Sequence, residues 1–262
     1  MNPDRISACT YAVRLESLDL TFQIVAGAGC RKVDLWGGLP NYSNDPAECD
    51  IPALKAKAAA CGLTIANLGT YPGRKIAEVG YAAEMLEMTR AIDHAAFLGA
   101  RSIRVCPGHG EDPAIVDGLI PFFREAAAYA RSKGVYLGME NHKGSIAGNP
   151  EAIMPLVRAV NSPYFGILYE PANLMACKVD YKEAYPLFKG WITHVHVKDS
   201  HWTEQGYERT MFGEGDIDWA WCVATLEADG YTGDYALEYE IEKVVPIAEG
   251  LPLWVQRFQA LA

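Results

Sequence analysis

The sequence contains no hydrophobic run long enough to span a bilayer, which takes about 18 or more consecutive apolar residues. Its opening residues, Met-Asn-Pro-Asp-Arg, are too polar for a secretory signal peptide. Both absences argue against a membrane partner. We therefore expect a soluble, cytoplasmic protein.

Paired cysteines and nucleotide-binding loops are also missing. The seven cysteines show no C-x-x-C spacing, which favours reduced thiols in small apolar positions. No G-x-G-x-x-G follows a predicted strand, and no G-x-x-x-x-G-K-[ST] segment occurs. Neither a dinucleotide site nor a phosphate-binding loop is therefore predicted.

Basic residues are scarce relative to acidic ones. The chain has 23 Lys and Arg against 33 Asp and Glu, a net charge of -10. A protein that binds a phosphate backbone favours a basic surface. We expect no nucleic-acid partner.

The chain instead shows a regular alternation of strand and helix patterns. With 262 residues, half of them hydrophobic, it can bury one large core. Eight strand and helix pairs at this length favour a single-domain (β/α)8 TIM barrel over residues 1–262, with a doubly wound open sheet as the alternative. The predicted strands are 6–10, 32–36, 63–68, 102–106, 135–140, 165–170, 193–199 and 235–240.

Several helix boundaries follow from apolar spacing and capping residues. The periodicity predicts one continuous helix over 77–98, a helix over 217–228 capped by Asp216, and a closing helix over 251–261 with Pro252 in its first turn. Between the seventh strand and Gly215 the pattern predicts a long loop.

Four of the predicted strands carry a carboxylate or an imidazole near their ends. These residues are Glu140, Glu170, His196 and Glu238, on strands five to eight. Side chains alternate between the two faces of a strand, and in a barrel the carboxyl ends of neighbouring strands form one rim. We expect all four side chains to point inward and to meet there.

Three converging carboxylates repel one another unless a cation lies among them. Oxygen-rich ligation with one nitrogen favours a divalent metal, Mn²⁺ or Mg²⁺ rather than zinc, and Co²⁺ is a further possibility. The alternative is a buried ion network in which Arg104 and Lys198 neutralise the carboxylates.

The residues around this cluster resemble the xylose isomerase-like barrels of sugar isomerases, epimerases and dehydratases. The segments that carry the resemblance are Met-Glu-Asn-His-Lys at 139–143, Gly-Ile-Leu-Tyr-Glu-Pro-Ala-Asn at 166–173, His-Val-His-Val-Lys-Asp at 194–199 and Gly-Glu-Gly-Asp-Ile-Asp-Trp at 213–219. The resemblance implies that Glu140, Glu170, His196 and Glu238 hold the metal. It also implies proton removal beside a carbonyl, with a metal-stabilised enediolate.

Two departures separate this chain from the ketose epimerases of that family. Glu170 stands where the family usually has Asp, and Asn173 stands where those epimerases have His. The Val-Lys-Asp segment that follows His196 also differs from the corresponding segment of the ketose epimerases. It looks closer to inosose dehydratases and to the catalytic subunits of C-glycoside deglycosidases. We expect an isomerase or epimerase acting on a sugar or oxo-sugar, with a lyase acting on an inosose or a 3-oxo-glycoside as the alternative.

The candidate catalytic residues are His142, Glu140, Glu238 and Lys198. His142 is the first choice for the base because a neutral imidazole suits proton transfer near pH 7, and Glu140 and Glu238 are the alternatives. Lys198 is expected to orient the substrate or stabilise an oxyanion, or else to form an ion pair with Glu240 or Asp199.

Four further residues are candidates for the substrate pocket: His109, Trp36, His194 and Glu240. For His194 a second-shell or core position is the alternative interpretation. A more remote hypothesis is that the barrel has no catalytic activity and binds a sugar or a partner subunit. The sequence leaves both a homo-oligomer and a hetero-oligomer with a second subunit open.

Overall fold

The computed structural model of the chain describes residues 1–261, and within them eight parallel strands close into a barrel. The order around the barrel is β1-β10-β7-β6-β5-β4-β3-β2, and β8 and β9 form a separate hairpin. The predicted (β/α)8 barrel is confirmed. The strands are β1 (Ile6–Cys9), β2 (Lys32–Trp36), β3 (Thr64–Gly69), β4 (Ser102–Val105), β5 (Tyr136–Glu140), β6 (Phe165–Tyr169), β7 (Ile192–Val197), β8 (Ser200–Thr203), β9 (Gly206–Arg209) and β10 (Tyr235–Leu237).

Helices alternate with the barrel strands. They are α1 (Leu18–Gly27), α2 (Ile51–Ala60), α3 (Ile76–Val79), α4 (Tyr81–Leu98), α5 (Val116–Lys133), α6 (Pro150–Val160), α7 (Pro171–Ala176), α8 (Tyr181–Phe188), α9 (Trp219–Ala228) and α10 (Ile247–Gln259). None of these described helices is both long and apolar enough to cross a membrane.

The chain packs as two compact units. In the unit formed by residues 1–66 and 196–261, aromatic side chains hold the helices in place. The Phe258 ring on α10 lies 5.5 Å from Phe212 and 6.2 Å from Trp219, measured between centroids. Trp254, one helical turn earlier, contacts Phe212 from the same face of α10. That the whole chain forms one domain stays a prediction.

The unit formed by Asn67–Val195 contains the strands β4, β5 and β6, which pair in parallel register. Phe123 on α5 packs against Phe165 at the start of β6, with 4.9 Å between the ring centroids. Gly138 and Gly166 lie opposite each other in the β5–β6 ladder. Glycine is needed at both, because a Cβ at Gly138 would lie 2.8 Å from Thr193 Oγ1 and one at Gly166 would lie 1.9 Å from the Trp191 carbonyl oxygen.

We predict that Gly166→Ala destabilises the fold by about 1–3 kcal/mol or more, because the added methyl meets backbone that must move. Urea denaturation of the two proteins measures the difference. Gly118→Ala in α5 is the matched control: nothing lies within 4 Å of its added Cβ, so the same methyl should be neutral or stabilising by up to about 1 kcal/mol. Equal effects at both glycines would contradict the packing argument.

Three sequence predictions of element boundaries were wrong. The helix predicted over 77–98 is divided into α3 and α4 at Gly80, whose φ of 84° leaves the helical region. Asp218 caps α9 by accepting a hydrogen bond from Trp221 N, whereas Asp216 accepts one from Trp202 N. The closing helix begins at Ile247, so Pro252 lies inside it and not in its first turn.

Candidate active site

His196 and Asp34 form a buried pair in the first unit. His196 lies on β7 and Asp34 on β2, and their side chains are both 1% exposed. His196 Nε2 lies 2.9 Å from Asp34 Oδ2. A carboxylate at this distance accepts the Nε2 proton, which fixes the ring orientation and leaves Nδ1 as the nitrogen able to bind a metal.

Glu238 follows β10 directly and contacts three side chains of the same unit. Its Oε2 lies 3.5 Å from His196 Nδ1 and 2.9 Å from Lys198 Nζ. The Cys9 thiol lies 3.9 Å from Oε1. Burial, followed by the charges of Glu238 and Asp34, raises the pKa of Cys9 well above its usual value, so the thiol keeps its proton and donates a hydrogen bond to Glu238.

Lys198 lies between two carboxylates. The buried ammonium group contacts Glu238 at 2.9 Å and Glu240 Oε2 at 2.7 Å. Arg209 Nε approaches the same Glu240 oxygen at 2.7 Å. The sequence-based alternative for Lys198, an ion pair with Glu240, is therefore present, and Glu240 is a partner of Lys198 at the rim.

The segment after β7 is organised by Asp199. This fully buried carboxylate accepts hydrogen bonds from the backbone N–H groups of Ser200, Gly213 and Gly215. Burial raises its pKa, and these backbone donors oppose that rise. Within the predicted loop the chain forms the β8–β9 hairpin, and Thr210 N donates to the Asp199 carbonyl at its base.

In the second unit, Glu140 ends β5 and is paired with the buried Arg104. Arg104 Nη1 donates to Glu140 Oε2 at 3.0 Å, while Nη2 and Nε donate to the Gly69 and Thr70 carbonyls. The guanidinium carbon also lies 4.2 Å from the centroid of the Tyr71 ring. Arg104, itself held by these contacts, thus fixes one oxygen of Glu140.

Glu170 is fully buried directly after β6. Asn141 joins this strand end to that of β5 by donating from Nδ2 to the Glu170 carbonyl and accepting from Glu170 N, at 2.7 and 2.8 Å. Asn173 Nδ2 donates to Glu170 Oε2 at 2.8 Å. Asn173 therefore orients a carboxylate, and its amide has no proton to exchange near neutral pH.

Glu140 and Glu170 in the second unit, and His196 and Glu238 in the first, each offer one atom that can bind a metal. Three carboxylates and an imidazole match the donor preferences of Mn²⁺ and Mg²⁺, so the residues fit a divalent cation. Arg104 and Lys198 contact two of the carboxylates, as the ion-network interpretation expects. The positive charge of a metal would add to this neutralisation.

The remaining candidates occupy different environments. His142 is exposed, and because β5 ends at Glu140 the strand alternation that placed the two on one face does not extend to it. Its Nδ1 lies 2.8 Å from the Lys143 carbonyl oxygen. His109 is exposed and accepts from Arg74 Nε at 3.3 Å.

Trp36 and His194 lie on barrel strands. Trp36 is the half-buried last residue of β2, with its ring 6.1 Å from that of Tyr11. His194 is buried within β7 and pairs in register with Leu168 of β6. Sequence reasoning missed Asp34 and Arg209. The one available signal for Asp34 was its position two residues before Trp36, which gives it the same strand face.

Comparison with known proteins agrees with this architecture. The sequence profile described as "Xylose isomerase-like TIM barrel" matches residues 22–260. An L-ribulose-5-phosphate 3-epimerase from Salmonella paratyphi C is 32% identical over 123 residues, which cover 47% of this chain and 41% of that protein. The match thus spans less than half of the curated relative.

Solved structures show the same fold. A xylose isomerase-like TIM barrel protein from Mycobacterium smegmatis, in complex with magnesium, superposes with a TM-score of 0.76 at 20% identity, covering 93% of this chain and 89% of the other. A probable 3-DHS dehydratase from Bacillus anthracis gives 0.73 at 15% identity, covering 97% and 98%.

Proposed function

The chain belongs to the xylose isomerase-like TIM barrel family, and on that premise we propose that it is a divalent-metal-dependent isomerase or epimerase of a small sugar or oxo-sugar. The observation that carries the proposal is the donor set within each unit: Glu140 and Glu170 stand at the ends of the paired strands β5 and β6, and His196 Nδ1 lies 3.5 Å from Glu238 Oε2. The partial match to a sugar-phosphate epimerase supports an epimerase, and the superposition on a dehydratase supports the wider class.

We propose Mn²⁺ as the metal. It would be held by Glu140, Glu170, His196 and Glu238, and would polarise a substrate carbonyl so that the neighbouring carbon becomes acidic. The chain's own groups do the rest. Asp34 keeps the proton of His196 on Nε2, which leaves the other ring nitrogen to the cation. Arg104 holds Glu140 in a fixed orientation through one charge-assisted hydrogen bond.

Proton transfer at carbon needs a carboxylate or an imidazole that can release and take up a proton. We propose Glu238 and Glu140 as this pair. Glu238 is buried, and Cys9 and Lys198 hold its two oxygens in place. His142 remains a candidate whose exposed position lets it act on a substrate only from the loop after β5.

Lys198 is proposed to donate a proton or a hydrogen bond to the substrate oxygen that becomes negative. Its two carboxylate partners hold the ammonium group in place, at 2.9 Å from Glu238 and 2.7 Å from Glu240. A fixed ammonium group close to the developing charge lowers the barrier without any rearrangement during the reaction.

The alternative is a lyase that removes a β-substituent after the same proton abstraction. Asn173 favours this alternative, because it stands where the ketose epimerases have a histidine and its amide is bound to Glu170. The substrate would then be an inosose or a 3-oxo-glycoside.

Proton exchange tests the proposal. The Mn²⁺-loaded protein is incubated in D₂O with ketoses, their phosphates, inososes and 3-oxo-glycosides, and deuterium uptake and products are followed by NMR. We expect deuterium at the carbon beside the carbonyl, lost on chelation and restored by Mn²⁺. An isomeric product identifies an isomerase or epimerase, whereas an eliminated group identifies a lyase. Exchange that is unaffected by chelation would contradict a metal-dependent mechanism.

A further inference from the structure

Arg209, the last residue of β9, has guanidinium N–H groups that contact no acceptor among residues 1–261. Its Nε contacts Glu240 Oε2 at 2.7 Å, and its side chain is 43% exposed. Among residues 1–261 its guanidinium has no other polar partner. Both terminal nitrogens therefore remain available to a ligand, in the fixed fork that suits phosphate and carboxylate groups.

An ion pair fixes the guanidinium of Arg209, and the hairpin fixes its backbone. Glu240, whose side chain is 9% exposed, forms ion pairs with both Arg209 and Lys198, each at 2.7 Å. The backbone of Arg209 pairs with Ser200 in the hairpin, and Thr210 N donates to the Asp199 carbonyl next to it. A donor fixed before the ligand arrives loses little conformational entropy on binding.

Arg209 is the last member of a series of charged side chains in contact, Glu238, Lys198, Glu240 and Arg209. Lys198 and Arg209 supply two positive charges, and Glu238 and Glu240 supply two negative ones. Lys198 and Arg209 both contact Glu240, so this carboxylate is shared by two cations. A negatively charged substrate group at this edge would be attracted to the exposed guanidinium of Arg209.

We propose that Arg209 binds an anionic group, a phosphate or a carboxylate, at the end of the sugar remote from the reacting carbons. Arg209 is separated from Glu238 by two side chains in contact, Lys198 and Glu240. A group bound to its terminal nitrogens therefore lies beyond the position of a carbonyl held near Glu238. The inference rests on the proposed function for the location of the reacting carbons, and it names the class of substrate: a sugar with an acidic terminus.

Ligands that cannot enolise test this proposal separately from the reaction. The probes are a five-carbon sugar alcohol, its terminal phosphate and the matching sugar acid, and their dissociation constants are measured by calorimetry on the Mn²⁺-loaded protein. We expect the wild type to bind at least one anionic probe more tightly than the neutral alcohol. The probe that binds better distinguishes a phosphate from a carboxylate as the natural group.

Arg209→Ala should weaken binding of the preferred anionic probe by about tenfold or more and leave the neutral alcohol unchanged. Arg209→Lys should recover part of the loss, since it keeps the charge but not the fork. Arg31→Ala is the matched control, because it removes one exposed guanidinium that pairs with Asp4 in the same unit. Thermal unfolding curves of all variants establish that each is folded.

Equal binding of neutral and anionic probes by the wild type would overturn the proposal. So would equal losses in Arg209→Ala and Arg31→Ala. Because these probes never lose a proton from carbon, anion selectivity can stand while the exchange assay fails, and exchange can succeed while selectivity is absent. The two proposals are thus separately testable.

Discussion

Substitution of Glu238 by Gln is expected to lower proton exchange at carbon by about 10²–10⁴-fold, the range of a general acid or base. Gln keeps the shape of the side chain but removes its charge and its ability to take up a proton. It also replaces an acceptor oxygen of Lys198 or Cys9 by an amide nitrogen, which cannot accept from either. Exchange in D₂O at saturating Mn²⁺ is the measurement.

Metal binding must be measured on the same variant, because Glu238 is proposed both as a ligand and as a base. Glu242→Gln is the matched control: it makes the same chemical change four residues further along, where the carboxylate is 26% exposed and lies 3.9 Å from Arg14. Exchange within a fewfold of the wild type in both variants, with unchanged metal affinity, would exclude Glu238 from either role.

The second large effect is expected at Asp34. Asp34→Asn should lower the affinity for Mn²⁺ by about 10–100-fold, as is typical when the partner of a metal-binding histidine is lost. The neutral amide can present its NH₂ group to His196 Nε2 and so favour the wrong tautomer, and it no longer raises the basicity of the ring. Competition with a fluorescent chelator gives the affinity, and D₂O exchange gives the consequence for the reaction.

Asp234→Asn controls for the loss of a buried carboxylate. Asp234 is 4% exposed and pairs with Lys32 Nζ at 2.6 Å, just before β10. Its replacement should change stability and leave metal affinity unaltered. If Asp34→Asn binds Mn²⁺ as the wild type does, then Asp34 is a core residue that satisfies His196 and does not prepare it for a metal.

The barrel and its polar rim could be predicted because both depend on short-range patterns. Strand alternation locates β2 at its observed bounds, and the same alternation brings Glu140 and His196 to their strand ends. Helix bounds that depend on a single φ angle could not be predicted. Gly80 is compatible with a helix interior in the sequence and breaks the helix in the structure.

The partners of the rim residues were harder to foresee, because they come from distant parts of the chain. Asp34 and His196 are 162 residues apart, and the sequence around Asp34 does not identify His196 as its partner. The β8–β9 hairpin escaped detection for another reason. Its residues are mostly half-buried or exposed, so no apolar alternation marks them as strands.

Asp199 anchors both ends of the segment that follows β7, and this affects how far the length of that segment can vary. Since its carboxylate binds both Ser200, where the hairpin begins, and Gly213, where the chain returns, the intervening segment leaves and re-enters at one anchored point. Doubling the length of such a segment costs only about 0.6 kcal/mol of closure entropy. Residues 201–209, Arg209 included, can therefore be exchanged for a longer or shorter segment while the barrel strands keep their register and Phe212 keeps its packing on α10.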